Sequence, residues 1–301
     1  MVYTITLNPA LDYELWVDDL RYDDINRASA ESLHYGGKGI NVSVILSRLG
    51  VANEALGFTA GFTGEQLKTI LRAEGIRCDF TDLSRGMTRI NVKIRADIEL
   101  DVNARGPEIS EREIEDLLAK LDKAAKGDFV VIAGSVPKNL PPDIYERMLR
   151  QLDGRGVRFV VDTTGALLLG SLKYKPFLIK PNHHELGDLF GVRTETEEDI
   201  VFYARKLRER GARNVLVSRA GDGALLVDEN DKVHTVGVVP GKAVSSVGCG
   251  DSMVGGFIAG YLQKGDYEYA LRLGAACGSA TAFTEGLADR RDIDEVFDKL
   301  K

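Results

Sequence analysis

FVVIAGSVPKNLPPDIYERMLRQLDGRGVRFVVDTT, residues 129–164, carries two short, nearly all-apolar runs, Phe129–Ala133 and Arg158–Val161, on either side of a helical stretch near 142–152. The rhythm continues downstream, where Phe177–Ile179 and Asn214–Ser218 alternate with helical stretches near 183–190 and 197–210. Strands this apolar, alternating with helices, predict an α/β fold whose mostly parallel central sheet is covered on both faces. Ligands of such a sheet bind outside the carboxyl ends of its strands. Gly134-Ser135, Asp162, Lys180-Pro181-Asn182 and Arg219–Gly223 each follow one of the runs, where plain turns would also fall.

Upstream, Val2–Leu7 reads as a first strand, with Glu14–Val17 and Ser29–Leu33 as short strand candidates. GGKG opens a helix with Ile40, Val44 and Ile45 at helical spacing, stopped by Gly50. A strand near Glu54–Phe58 leads into a helix over Thr63–Glu74, with Thr-x-x-Gln as its start signal. Arg89–Arg95 and Glu99–Asn103 predict a hairpin, and Ser110 with Glu113 a capping box. Ala224–Val227 and Val233–Val236 predict a second hairpin, and the chain turns helical from Gly250 onward. No Pro/Gly/Ser-rich linker or repeat divides residues 1–301, so one domain is expected, with insertions at about 12–35 and 88–104.

Composition sets outer bounds. The 301 residues are 44% hydrophobic and 28% charged, which is ordinary for a globular chain. A net charge of -7 argues against nucleic acid or an anionic membrane as partner. No apolar run is long enough to span a bilayer, and the first residues lack the pattern of a signal peptide. Cys78, Cys249 and Cys277 are too few and too scattered for a disulfide framework or a zinc site, and fit a reducing, cytoplasmic setting.

The chemistry concentrates in SSVGCGDSMVGGFIAGY, residues 245–261. Val254, Phe257, Ile258 and Tyr261 have helical spacing, which places Gly248-Cys249-Gly250 at a helix start. Unpaired N–H groups and the helix dipole bind anions there, and Asp251 would lie beside them. Asp251 is then either a favourable first-turn acid or the base that accepts a proton from an attacking hydroxyl. No Walker motif occurs, and no Gly-x-Gly-x-x-Gly follows the first strand. In GGKGINVSVILSRLG (36–50), Lys38 and Asn41 are either site groups or a solvent-facing lysine and its neighbour.

Taken together, these motifs resemble the two signatures of the ribokinase-like, or PfkB, carbohydrate kinase family. The match runs through TLNPALDY (6–13), Asn26-Arg27, GGKGINVS (36–43), AGSVP (133–137), KPNHHE (180–185), SRAGDGA (218–224) and GCGDS (248–252). It implies a ribokinase-like α/β fold with a small β-sheet lid, and ATP-dependent transfer to a hydroxyl of a ketohexose phosphate. Fructose 1-phosphate is the first expectation, with tagatose 6-phosphate and fructose 6-phosphate as alternatives. A sugar-phosphate-binding protein without catalysis is the alternative of another class.

By position, Asp251 is implied as the base, and Gly248, Cys249 and Gly250 as the anion hole. The helix start is expected to lower the Cys249 thiol pKa and open it to oxidation. Asn182 and Glu185 match an element that helps hold Mg2+, although Glu185 also suits a plain first-turn acid. His183 and His184 are read as structural. Lys180, Asn182, Ser218, Gly221, Gly223 and Ser279 are placed with the nucleotide. Asp12, Asn26, Gly37, Lys38, Asn41, Arg89 and Arg105 are placed with the sugar phosphate, with Arg27 a further candidate. A homodimer through the lid is expected.

Overall fold

Alternating inward faces along the strands force two helical layers onto one sheet, as the computed structural model shows for residues 1–300. The chain runs β1 (Val2–Thr6), β2 (Ala10–Trp16), β3 (Ala30–Gly36), α1 (Lys38–Arg48), β4 (Asn53–Ala60), α2 (Gly61–Ala73), β5 (Arg77–Cys78) and β6 (Thr81–Leu83). It continues through β7 (Arg89–Arg95), β8 (Glu99–Asn103), α3 (Glu111–Leu121), β9 (Phe129–Ala133), α4 (Ile144–Leu152), β10 (Arg158–Asp162) and α5 (Gly165–Ser171). Next come β11 (Leu178–Ile179), α6 (His183–Asp188), α7 (Glu197–Glu209), β12 (Asn214–Ser218), β13 (Ala224–Val227) and β14 (Val233–Val236). Three helices close the fold: α8 (Cys249–Lys264), α9 (Tyr267–Ala282) and α10 (Arg290–Lys299).

The main sheet has the order β14-β13-β12-β11-β10-β9-β1-β4-β5, with β6 pairing β4. Every pairing from β12 to β5 is parallel, and β13 and β14 add an antiparallel edge. Val2, Val131, Ala133 and Val160 face α1, α8, α9 and α10. Tyr3, Ile5, Val130, Ile132 and Phe159 face α3 and α4. The helix α8 is apolar on nearly all sides and runs through the interior, as a helix without a polar face must.

A separate four-stranded sheet, β3-β2-β7-β8, forms the lid. Its strands are longer than the sequence pattern indicates, because charges on one face cancel in pairs. Asp12 is met by Lys93 at 3.1 Å and Glu14 by Arg95 at 2.7 Å. On the other face Leu11, Tyr35 and Ile90 pack against α1 and α2.

The start of α2 departs from expectation. Thr63 is not its cap, since the helix begins at Gly61 behind Ala60. Thr63 Oγ1 instead donates to the Thr88 carbonyl at 2.8 Å, and the Ala60 N–H donates to Thr88 Oγ1 at 2.9 Å. Two threonines thus tie α2 to the root of β7, a tertiary contact that outcompetes the local capping signal. The capping box at Ser110 and Glu113 is present with both bonds.

Candidate active site

Lys38 is the first residue of α1 and Asn41 follows three residues later, so both side chains project from one face of the helix. That face meets the start of α8. Gly248 enters α8 with φ 78°, a conformation in which a side chain would be strained and would also strike Leu287. The first intrahelical bond of α8 runs from the Ser252 N–H to the Gly248 carbonyl, which leaves the amides of Cys249, Gly250 and Asp251 free of helix partners.

Asp251 is 6% exposed in the first turn. Asn41 Nδ2 donates to its Oδ2 at 2.8 Å, and Lys38 Nζ stands 4.0 Å from its Oδ1. Burial, joined by the nearby Asp162 charge, pushes the Asp251 carboxyl up to about 6 against the pull of Lys38 and Asn41. Asp162 ends β10, with Lys38 Nζ at 3.1 Å and Lys180 Nζ at 3.6 Å. Burial opposes its charge, but Lys180 and Lys38 outweigh that and hold its carboxyl below the ordinary range. Burial likewise works against the Lys38 ammonium, and Asp162 and Asp251 more than restore it. Lys180 Nζ lies 3.0 Å from where a Cβ on Gly250 would stand, at the mouth of the glycine turn.

Cys249 does not behave as its helix position implies. Burial first, and Asp251 second, push its thiol up to about 11, so it stays a thiol at neutral pH. The neighbouring carboxylate and desolvation outweigh the helix dipole.

Along the same edge, Asn182 caps α6 and Glu185 returns the bond. The Glu185 N–H donates to Asn182 Oδ1 and the Asn182 N–H to Glu185 Oε2, each at 2.8 Å. Asn182 also bridges to Ser218 at the end of β12. Gly221 lies in the single turn after β12, and Gly223 follows it. Ser279 is half-buried in α9, next to Gly278, which packs on the Cys249 carbonyl. His183 and His184 stack with ring centroids 3.9 Å apart. No group of three His, Cys, Asp or Glu side chains fit to hold a metal occurs among the described residues.

On the lid side, Asp12 leans over Gly36, and its Oδ1 accepts from Asn91 Nδ2 at 2.8 Å. Arg89 Nε donates to the Asn8 carbonyl at 3.2 Å, while Asn8 Nδ2 donates to the Arg105 carbonyl at 3.2 Å. The Arg105 side chain is exposed. Asn26 is not brought to this cluster. Its amide donates to the Arg21 carbonyl and accepts the Arg21 N–H, both at 2.8 Å, closing an exposed loop beyond Trp16. Trp16 is itself roughly 13 Å along the strand from Asp12. Arg27 is exposed in the same loop.

Asn91 and Lys93 are members that sequence reading left out, and Asp162 was placed at the sheet edge but given no role. Asp162 was visible as an acid ending an apolar run. Asn91 and Lys93 sit in the alternation of Arg89, Asn91, Lys93 and Arg95, which marks one polar strand face.

A helix start with free amides, the buried acid beside it and the small separate sheet are together the features of a phosphotransferase of the carbohydrate kinase class. The family model of the pfkB family carbohydrate kinases matches residues 1–293, and the chain belongs to that family, which takes its phosphoryl group from ATP. The chain is 46% identical to the 1-phosphofructokinase of Bacillus subtilis over 100% of its own length and 99% of the relative's. It is 36% identical to the D-tagatose-1-phosphate kinase of Bacillus licheniformis, with 100% and 99% covered. Among solved structures, Escherichia coli phosphofructokinase-2 in complex with fructose-6-phosphate superimposes with a TM-score of 0.91 at 28% identity, covering 99% of this chain and 98% of that one. The ribokinase-like α/β expectation and the sugar-kinase reading are therefore borne out. No helix among the described residues is long and apolar enough to cross a membrane.

Proposed function

We propose that this enzyme transfers the γ-phosphoryl group of ATP to the C6 hydroxyl of a ketohexose 1-phosphate, with fructose 1-phosphate yielding fructose 1,6-bisphosphate. The observation that carries the chemistry is Asp251, buried, oriented by Asn41 and set against the free amides at the start of α8. The hydroxyl proton passes to Asp251, the oxygen bonds to the γ-phosphorus, and the bond to the β-bridging oxygen breaks to release ADP. Lys38, Lys180, Asp162 and Asp251 sum to zero charge while Asp251 is ionised. Once it holds the proton they sum to +1, just as the bound phosphates gain a negative charge. Lys38 is thus better placed for the transferring group than for the phosphate already on the sugar.

Asp12, Gly37 and Asn41 would line the sugar, with Asn91 and Lys93 fixing the Asp12 carboxylate. Arg89 and Arg105 remain to hold the existing phosphate. Arg89→Ala is expected to raise the sugar-phosphate KM at least tenfold, the loss of a charge-assisted contact, and to leave kcat within a few-fold. Initial-rate kinetics check this, and an unchanged KM removes Arg89 from the phosphate site. Asn182, Ser218, Gly221, Gly223, Lys180 and Ser279 would line the nucleotide.

The donor set fits Mg2+ bound largely through water. The α6 cap uses only Oε2 of Glu185, and a Mg2+ that keeps most of its waters needs only one or two carboxylates beside nucleotide phosphates. Asn182 and Glu185 would hold it, and it would offset phosphate charge.

The choice of a 1-phosphate follows the 1-phosphofructokinase and D-tagatose-1-phosphate kinase relatives. Comparison of kcat/KM for fructose 1-phosphate, tagatose 1-phosphate, tagatose 6-phosphate and fructose 6-phosphate, with ATP and Mg2+, tests it. A preference for either 6-phosphate overturns the substrate but not the base. Tight binding without turnover on all four would favour the non-catalytic reading.

The outer part of the lid's apolar face, beyond Leu11, Tyr35 and Ile90, supports a homodimer. Leu33, Leu100 and Val102, 40%, 43% and 53% exposed, lie on the same face as Tyr13, Leu15, Val92 and Ile94. A second copy would cover this apolar strip, and phosphofructokinase-2 of Escherichia coli, a relative at 28% identity, has a tetrameric form. Light scattering should give a dimer that Leu33→Asp converts to monomer. A monomeric parent protein at micromolar concentration would refute the reading.

A further inference from the structure

Asp162 is the most enclosed charged group at the carboxyl edge of the sheet, 2% exposed at the end of a central strand. Its two oxygens are divided between two lysines from distant parts of the chain. Oδ2 takes Lys38 Nζ at 3.1 Å from the start of α1, and Oδ1 faces Lys180 Nζ at 3.6 Å from just beyond β11. Neither lysine has another acid as near. Lys38 is 4.0 Å from Asp251, and Lys180 stands over the Gly250 turn.

Two ammonium groups converging on one enclosed spot repel each other, and each pays for the loss of water unless an anion is shared between them. An ammonium carries three donors. Asp162 accepts one from Lys38 and holds Lys180 by charge at 3.6 Å, which leaves donors on both lysines for the transferring phosphoryl group. Donors held in place before reaction stabilise a transition state without reorganising at the moment of transfer. Nothing else among the described residues restrains both lysines.

We propose that Asp162 is a positioning residue that holds Lys38 and Lys180 together on the phosphoryl path, acting through the lysines and touching neither substrate. This rests on the kinase reading above and assigns to that site a device that sets kcat rather than affinity.

The test is a double-mutant cycle on the intact enzyme with Asp162→Asn and Lys38→Met, read as kcat and as KM for ATP and for fructose 1-phosphate, with thermal unfolding as the folding control. Asp162→Asn should lower kcat about 10²-fold, the scale of losing a preorganised donor, with both KM values within about threefold. In the Lys38→Met background the same change should cost less than about tenfold, since part of its effect runs through Lys38. Additive losses would overturn the proposal, as would a folded Asp162→Asn enzyme with kcat within threefold of the parent. So would a raised KM for ATP at unchanged kcat. If Asp162→Asn does not fold, Asp162→Glu takes its place, keeping the charge but displacing it by one methylene. It should lower kcat at least tenfold at unchanged KM, and parent-like kcat would overturn the proposal. Absence of turnover by the parent enzyme would instead count against the kinase reading.

Discussion

Asp251→Asn is expected to lower kcat by about 10²- to 10⁴-fold, the worth of general-base assistance, while the KM for the sugar phosphate stays within a few-fold. The substitution is nearly isosteric, and its carbonyl oxygen can still accept from Asn41, so binding and fold should survive. What disappears is the acceptor for the hydroxyl proton. The parent enzyme should also lose kcat/KM as pH falls through about 6, because burial raises the Asp251 carboxyl to that value and only its ionised form can take a proton. That acidic limb should be absent from the residual activity of the variant. Turnover within a few-fold of the parent, or an unchanged limb, would remove Asp251 from the role of base.

Gly57→Ala should cost about 3–5 kcal/mol of stability, combining backbone strain with a hard clash. Gly57 has φ +145° and stands opposite Thr6 in the parallel pairing of β4 with β1. A Cβ there would lie 2.0 Å from the Thr6 carbonyl oxygen, which is backbone and cannot swing aside. Thr6 in turn packs under the turn that launches α1: its Cγ2 is 2.7 Å and its Oγ1 2.6 Å from the Cβ positions of Gly37 and Gly39. The strain therefore passes from the sheet into the segment that carries Lys38 and Asn41. Urea unfolding should show a lowered midpoint at unchanged slope, with kcat/KM falling in the folded fraction. A loss below about 1 kcal/mol would mean that β1 and β4 separate easily, contrary to a packed interior.

Asp251, Asn41, Lys38 and Gly250 were legible because glycine-rich helix starts leave a local mark. Lys180 was legible as a residue at the sheet edge, but its approach to Asp162 and Gly250 was not, since nothing in KPNHHE tells which way its stem leads. Asn26 looked like a substrate ligand by resemblance. Its amide is instead consumed by the Arg21 backbone, a bond between residues five apart that no motif announces. Cys249 shows the converse, where a sound local rule about helix dipoles lost to burial and to a carboxylate two residues away.

The sequence by itself determined the parallel sheet, its covered faces, the lid hairpin and the helix start that would receive a phosphate. Each of these rests on periodicity or on backbone preferences that act within a few residues. Only the tertiary structure decided that Asp162 would sit between Lys38 and Lys180, that Asn91 and Lys93 would secure Asp12, and that burial would raise the Asp251 carboxyl to about 6. These depend on strands and helices separated by scores of residues meeting at one sheet edge. Desolvation and charge pairing act through space there, without regard to distance along the chain.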